Sequence, residues 1–298
     1  MTPVHGSSSE PVFRILHATD LAPTSEIAFV HAVKLALTAH AELDVIHVSP
    51  RSDPPDRVEF PGIGDTLRRW GLRVEKDGAG PVRGEGLRVG KIVAIDRDPV
   101  HAAVEYVQEH PTELVVLATA QRQGLDRWLS KAIAEPLARE SGAMTLFLPR
   151  RAQGFVAAES GRVTLDRILV PVDHSPGPQV AVDAAHALLA GLGCSGALGR
   201  LLYVGEPGPM PDVQPSVPPP SSWDWVVKPG DPVDEIVAIA DSWAADLLVM
   251  TTQGHAGIAD ALRGSTTERV LRRVACPVLA VPAGSRAMRR LFSAAPPG

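Results

Sequence analysis

Glu113-Leu114-Val115-Val116-Leu117 returns as Asp246-Leu247-Leu248-Val249-Met250, 133 positions further along the chain. Each stretch is an acidic residue followed by a short, unbroken apolar run. Such a run, with no polar alternation, fits a strand buried on both faces of a parallel sheet. The same offset aligns Asp98-Pro99-Val100 with Asp231-Pro232-Val233, Glu135 with Glu268, and Met144–Pro149 with Pro277–Pro282. An ungapped register over that length marks an internal repeat, which decides the architecture before any other signal. Upstream, Arg14-Ile15-Leu16-His17-Ala18-Thr19-Asp20 matches Arg167-Ile168-Leu169-Val170-Pro171-Val172-Asp173 at a separation of 153. The difference between 153 and 133 gives the first copy 20 extra residues, which the Pro-, Gly- and charge-rich stretch from Ser49 to Gly90 can hold.

Within the second copy, strands are expected at 168–172, 201–204, 223–228, 246–250 and 277–281. Helices are expected at 178–192, from Asp231-Pro232 onward, and at 265–274. Asp at the cap with Pro at the first helical position is a favoured helix start. Strands alternating with helices imply βαβ units and a parallel sheet. The stretch 205–220 carries too many prolines for a helix and reads as a loop in its place. In the first copy, Gly64–Trp70 reads as a short helix at the matching point. The fold class is therefore α/β, with two Rossmann-like domains of five parallel strands each, spanning 11–150 and 165–284. The polar stretch Arg150–Leu165 reads as their linker. Met144–Leu148 and Val278–Val281 are apolar strands, which as open edges would need cover.

The length of 298 residues suits two such domains. Hydrophobic residues at 45% and charged residues at 21% describe a globular chain with a full core. Aromatics are only 4%, so Val, Leu, Ile and Ala must fill that core. A net charge of -5 supplies no global basic field for nucleic acid or an acidic membrane. Two cysteines, Cys194 and Cys276, make no disulfide framework, and the expected compartment is the reducing cytoplasm. No apolar run reaches 18 residues, and the first ten residues lack a signal-peptide core.

In open parallel sheets ligands bind beyond the carboxyl ends of the strands, where strand order reverses. Three segments of the second copy converge on that place: Pro171-Val172-Asp173 after the first strand, Thr251–Gly257 after the fourth, and Gly264-Ser265-Thr266-Thr267-Glu268 opening the last helix. A helix start offers unpaired N–H groups suited to phosphate. Gly264 admits a close approach of backbone to ligand, and Ser265 and Thr266 add hydroxyls.

Residues 166–175, 246–254 and 264–282 resemble the universal stress protein family, whose tandem arrangement this chain shares. The family's nucleotide-binding members carry Gly, two residues, Gly, nine residues, Gly, then Ser or Thr. Gly254, Gly264 and Ser265 match, and Thr251 stands at the first glycine position. The resemblance implies an adenine nucleotide alpha hydrolase-like fold, with the last strands, Met144–Leu148 and Val278–Val281, pairing within the chain as an intramolecular pseudo-dimer, and ATP with Mg or Mn in the second domain. It places Pro171, Val172 and Asp173 on the adenine and ribose side, Met250 and Gly254 along ribose and phosphates, and Gly264, Ser265 and Thr266 on phosphate. In the first copy Gln121, Lys131 and Ala132 replace Gly254, Gly264 and Ser265, which implies no ATP site there. The function so implied is stress-response ligand sensing with protein partners. The alternatives are a nucleotide-free scaffold closed by Thr251, or a weak ATPase. Further assembly into a homodimer is compatible with either reading.

Several residues also have plainer readings. Ser265-x-x-Glu268 is a capping box by itself, and Asp173 could cap the helix after the first strand. His17, His47 and His174 lie near strand ends without a metal-ligand spacing. Cys276 reads as a packed thiol, and Trp223-x-Trp225 as packing on one strand face. Arg263, Arg269, Arg272 and Arg273 read as a solvated helix face, with phosphate steering by Arg263 as the alternative. No nucleophile–base–orienter set is visible, which leaves at most a slow hydrolysis.

Overall fold

The computed structural model describes residues 13–49, 58–73, 82–84, 87–96, 99–119, 142–149, 152–206, 208–215, 219–252 and 266–285. In the first half β1 (Arg14–Ala18), α1 (Glu26–Ala39) and β2 (Glu42–Ser49) are followed by α2 (Ile63–Arg69), β3 (Val82–Gly84) and β4 (Leu87–Ile95). Then come α3 (Pro99–Glu109), β5 (Leu114–Thr119) and β6 (Met144–Pro149). The second half runs β7 (Arg167–Val172), α4 (Gln179–Gly191), β8 (Leu198–Val204), β9 (Ser222–Lys228), α5 (Pro232–Ser242), β10 (Leu247–Thr252), α6 (Thr266–Leu271) and β11 (Val278–Pro282).

All eleven strands form one sheet, ordered β3-β4-β2-β1-β5-β6-β11-β10-β7-β8-β9. Read outward from its middle, each half repeats the same order. The seam is the antiparallel pair β6–β11, with Val278 opposite Phe147, Leu279 opposite Leu146 and Ala280 opposite Thr145. The expected pseudo-dimer pairing is thus present. That pairing makes the two sheets continuous. One difference stands against the sequence expectation: the first half has a sixth strand, because β3 joins β4 antiparallel. With α2, that strand accounts for part of the extra length of the first copy. The 205–221 segment carries no helix among its described residues, as its prolines require. It docks back on α4, where Gln179 exchanges hydrogen bonds with the backbone of Gln214.

The central strands are apolar on both faces because both faces are covered. One core layer joins α1, α2 and α4 to Ile15, Val116, Leu146, Leu279, Val249 and Val170. The other joins α3, α5 and α6 to Leu16, Val115, Phe147, Val278, Leu248 and Leu169. Both layers run through the seam. Asp231 caps α5 as its sequence predicts: its Oδ1 accepts from the N–H groups of Val233 (2.9 Å) and Asp234 (3.2 Å).

The stretch read as a polar linker is part of the core. Phe155, Val156 and Leu165 are buried, and Val156 bridges Val163. Two side chains of the first half hold it. His31, on α1, uses Nδ1 on the Ile27 carbonyl at 2.7 Å, and its Nε2 accepts from the N–H groups of Phe155 (2.9 Å) and Val156 (3.1 Å). Trp70, just after α2, donates its indole N–H to the Ala158 carbonyl at 2.8 Å. The glycines of the segment sit where those rings press. A Cβ on Gly154 would lie 2.3 Å from the His31 ring, and one on Gly161 would lie 2.5 Å from Trp70. Both glycines also have positive φ. Polarity alone misread this segment, because its hydrogen-bonding partners lie more than 80 residues upstream.

Two predictions follow the packing. Phe147→Ala empties a buried seam position and should cost about 3–5 kcal/mol in urea denaturation. Because both core layers cross the seam, both halves should unfold earlier together; loss confined to one half would contradict a shared core. Burial pushes His17 and His31 down to about 4 from 6.5. The unfolded chain therefore binds more protons in that window. Stability should be full above about pH 6.5 and fall toward pH 4, by up to about 1.4 kcal/mol per pH unit for each histidine. His31→Gln should remove one histidine's share of that slope.

Candidate functional site

β7 has β10 on one side and β8 on the other, so the chain leaves it in both directions. A cleft of about 150 Å³ opens at this switch point. Pro171, Val172 and Asp173 form its wall at the end of β7, Met250 and Thr251 at the end of β10, and Thr266 and Thr267 at α6. Of the residues expected at the site, Pro171, Val172, Asp173, Met250 and Thr266 are thus brought together. Gly254, Gly264 and Ser265 lie outside the described residues, as do Arg263 and the first-copy positions Gln121, Lys131 and Ala132. An apolar wall of Leu202, Val204 and Ile236 completes the cleft. Two signals in the sequence point to it: Leu202 and Val204 alternate on β8, and Ile236 lies one turn after Pro232 on α5.

Asp173 is exposed, and its Oδ1 accepts only the adjacent His174 N–H at 2.7 Å among the described residues. It does not cap the following helix, whose N-cap residue is Pro178. The equivalent Asp20 is differently placed. Its Oδ1 accepts from Ala22 N–H at 3.0 Å and from the Ser25 hydroxyl at 2.6 Å. Ser25 corresponds to Pro178, which has no donor to offer, so the second-copy carboxylate is left facing the cleft. One invariant of the repeat therefore serves as a turn anchor in the first copy and as a polar wall group in the second.

Thr251 lies within β10 and does not have positive φ. A β-branched residue is at ease there, so the missing glycine costs no backbone strain. What Thr251 adds is bulk and a hydroxyl. Its Oγ1 is buried without a hydrogen-bond partner among the described residues. The described helix α6 spans Thr266–Leu271, shorter than the expected 265–274. The arginines here form ion pairs: Arg269, on α6, with Asp231 at 3.4 Å, and, just beyond the helix, Arg273 with Asp234 and Arg272 with the buried Glu268. The Arg269–Asp231 and Arg273–Asp234 pairs reach across to the start of α5, while all three arginines stay about half exposed, so the face is solvated as expected. Ser265 lies outside the described residues, so the capping box is visible only at Glu268. Burial pushes the Cys276 thiol up to about 12, which fits a packed cysteine. No group of three His, Cys, Asp or Glu side chains suited to a metal occurs among the described residues. Nor is any described helix long and apolar enough to cross a membrane.

Two Rossmann-like halves in one sheet, with a ligand-type cleft beyond the strands of the second, define the class of protein. The profile of the universal stress protein family matches residues 12–149 and 215–282, and the chain belongs to that family. A universal stress protein of Methanocaldococcus jannaschii is 48% identical over 52 residues, 17% of this chain and 31% of that protein. One from Synechocystis is 40% identical over 58 residues, 20% of this chain and 38% of that protein. The matched stretch thus spans about a third of the length of these relatives. The solved universal stress protein of Archaeoglobus fulgidus is 16% identical, with a TM-score of 0.57 over 91% of this chain and 98% of its own, and shares the fold.

Thr251→Val keeps the shape of the side chain and removes the unpaired hydroxyl. In the ligand-free protein it should be neutral or stabilising by about 1 kcal/mol in thermal or urea unfolding. A loss of more than that would mean the hydroxyl has a partner.

Proposed function

We propose that the cleft of the second half, 165–284, binds an adenine nucleotide, ATP with Mg or Mn, and that the protein is a ligand-sensing module of the stress response. The carrying observation is Asp173: an exposed carboxylate on the cleft wall, where Asp20 of the first half, 11–150, is consumed by a turn. A carboxylate at that position is suited to accept ribose hydroxyls. The cleft of about 150 Å³ is small beside the ~300–1,000 Å³ of whole ligand sites. It has room for a base-sized group against Leu202, Val204 and Ile236, and the rest of a nucleotide would extend past Met250 toward Thr266. The unpaired Thr251 hydroxyl beside it is a second feature that favours a polar ligand. In this reading Gly254, Gly264, Ser265 and Thr266 line the phosphates. The metal would arrive on the triphosphate, since Mg characteristically keeps phosphate and water ligands with one or two carboxylates. Any accompanying hydrolysis would be slow, for the described wall residues offer no nucleophile–base pair. The bulk of Thr251 favours a second reading, a nucleotide-free scaffold for protein partners.

Calorimetric titration of MgATP into protein stripped of nucleotide decides between them. Binding near one nucleotide per chain is expected. Asp173→Ala should weaken it about tenfold or more, the worth of a hydrogen bond to a charged group. Gly264→Val with Ser265→Ala should abolish it. No heat, together with no nucleotide released on denaturing the protein as isolated, would establish the scaffold reading instead.

A further inference from the structure

The two ends of the sheet are finished differently. At the first-half end, β4 is covered twice. β3 pairs with it over Leu87–Val89, and α2 packs Ile63 and Leu67 into the core layer that holds Leu43, Val45, Leu87 and Val89. At the other end β9 is the last strand, with no strand beyond it among the described residues. The helix that would match α2 is replaced by the proline-rich 205–221 segment. Among its described residues, that segment meets the start of the strand. Trp223 packs over Gly199 beside Pro220. Trp225 and Val227, further along on the same face, stay 39% and 40% exposed. The sequence expectation of a packed Trp pair thus holds for Trp223 alone.

The residues along the two edges differ accordingly. Lys91 pairs with Val45 on β2 as Trp225 pairs with Leu201 on β8, so the two hold matching places. Edge strands are commonly blunted by lysine, by proline or by a cover. The first half has all but the proline. β9, Ser222-Trp223-Asp224-Trp225-Val226-Val227-Lys228, has no proline and a tryptophan where the lysine would be.

From this we infer that β9 is an interaction edge whose partner is β9 of a second copy of the chain. The strand is complementary to itself. In an antiparallel pair centred on Val226, Asp224 of each copy lies opposite Lys228 of the other, and Trp225 lies opposite Val227. Residues opposite one another share a face. Asp224 and Lys228 would therefore meet on one side and the exposed apolar pair on the other. Asp224 already accepts from Arg200 at 2.8 Å, yet its side chain remains half-exposed, and Lys228 makes no ion pair among the described residues. The contact is isologous, as a two-fold dimer requires. It extends the sheet edge to edge, in the manner by which β6 and β11 join the halves within one chain.

Sedimentation velocity of the full chain over a wide concentration range tests this. A species of twice the 31.6 kDa chain mass is expected to grow with concentration. Trp225→Lys and Lys228→Glu alter surface positions, so both variants should keep the wild-type circular dichroism. Each should shift the monomer–dimer midpoint upward about tenfold or more. Val226→Cys, at the two-fold axis, should form a disulfide-linked dimer under mild oxidation that the wild type does not. A chain that stays monomeric at every concentration would overturn the proposal. So would a dimer indifferent to both charge variants, or one that Val226→Cys fails to cross-link.

Discussion

The antiparallel contact of β6 with β11 is the constraint on which the rest of the molecule depends. In each half the last strand is apolar on both faces, and by itself would leave an open edge. Placing the two edges together satisfies both at once. Val278, Leu279 and Ala280 take Phe147, Leu146 and Thr145 as partners. The consequence reaches beyond the hydrogen bonds. Because the strands are continuous in one sheet, the helices on each face pack into a single layer from end to end. A stretch that begins as a repeat of two units becomes one structure with two cores.

That join also explains why the connecting segment is not a tether. With the halves fixed about the seam, the connecting chain from 152 to 165 is secured along its path. His31 and Trp70 hold its backbone, and Gly154 and Gly161 let the two rings lie against it. The cost is a histidine that must stay neutral, since a proton on Nε2 would face two N–H donors. The segment belongs to the fold of the first half as much as to the path into the second.

Duplication supplied two equivalent switch points, and the two have diverged. Asp20 and Asp173 occupy matching places, yet Ser25 ties the first into a turn while Pro178 cannot tie the second. The ends of the sheet diverged in the same manner. One is closed by β3, α2 and a lysine; the other carries Trp225 and Val227 in the open. In each case one half retains the plain structural solution and the other is left with an exposed group. Membership of the universal stress protein family describes the shared frame, and these local differences give this chain its own character.

The sequence by itself determined the repeat, the order of strands and helices shared between the halves (β3 excepted), and the class of fold, because each rests on local or periodic information. Buried strands show as apolar runs, Asp231-Pro232 shows a helix start, and the prolines of 205–220 forbid a helix. It also placed Pro171, Val172, Asp173, Met250 and Thr266 at one end of the sheet, since strand ends are legible once the strands are. Only the tertiary structure decided what each group meets there. Asp173 lost its capping role because Pro178 took the cap, and Thr251 proved unstrained because β10 extends through it. The wall of Leu202, Val204 and Ile236 appeared because β8 and α5 converge in space. The linker's burial was invisible for the same reason: its partners, His31 and Trp70, are distant in sequence, and composition records only what a segment is, not what it is packed against.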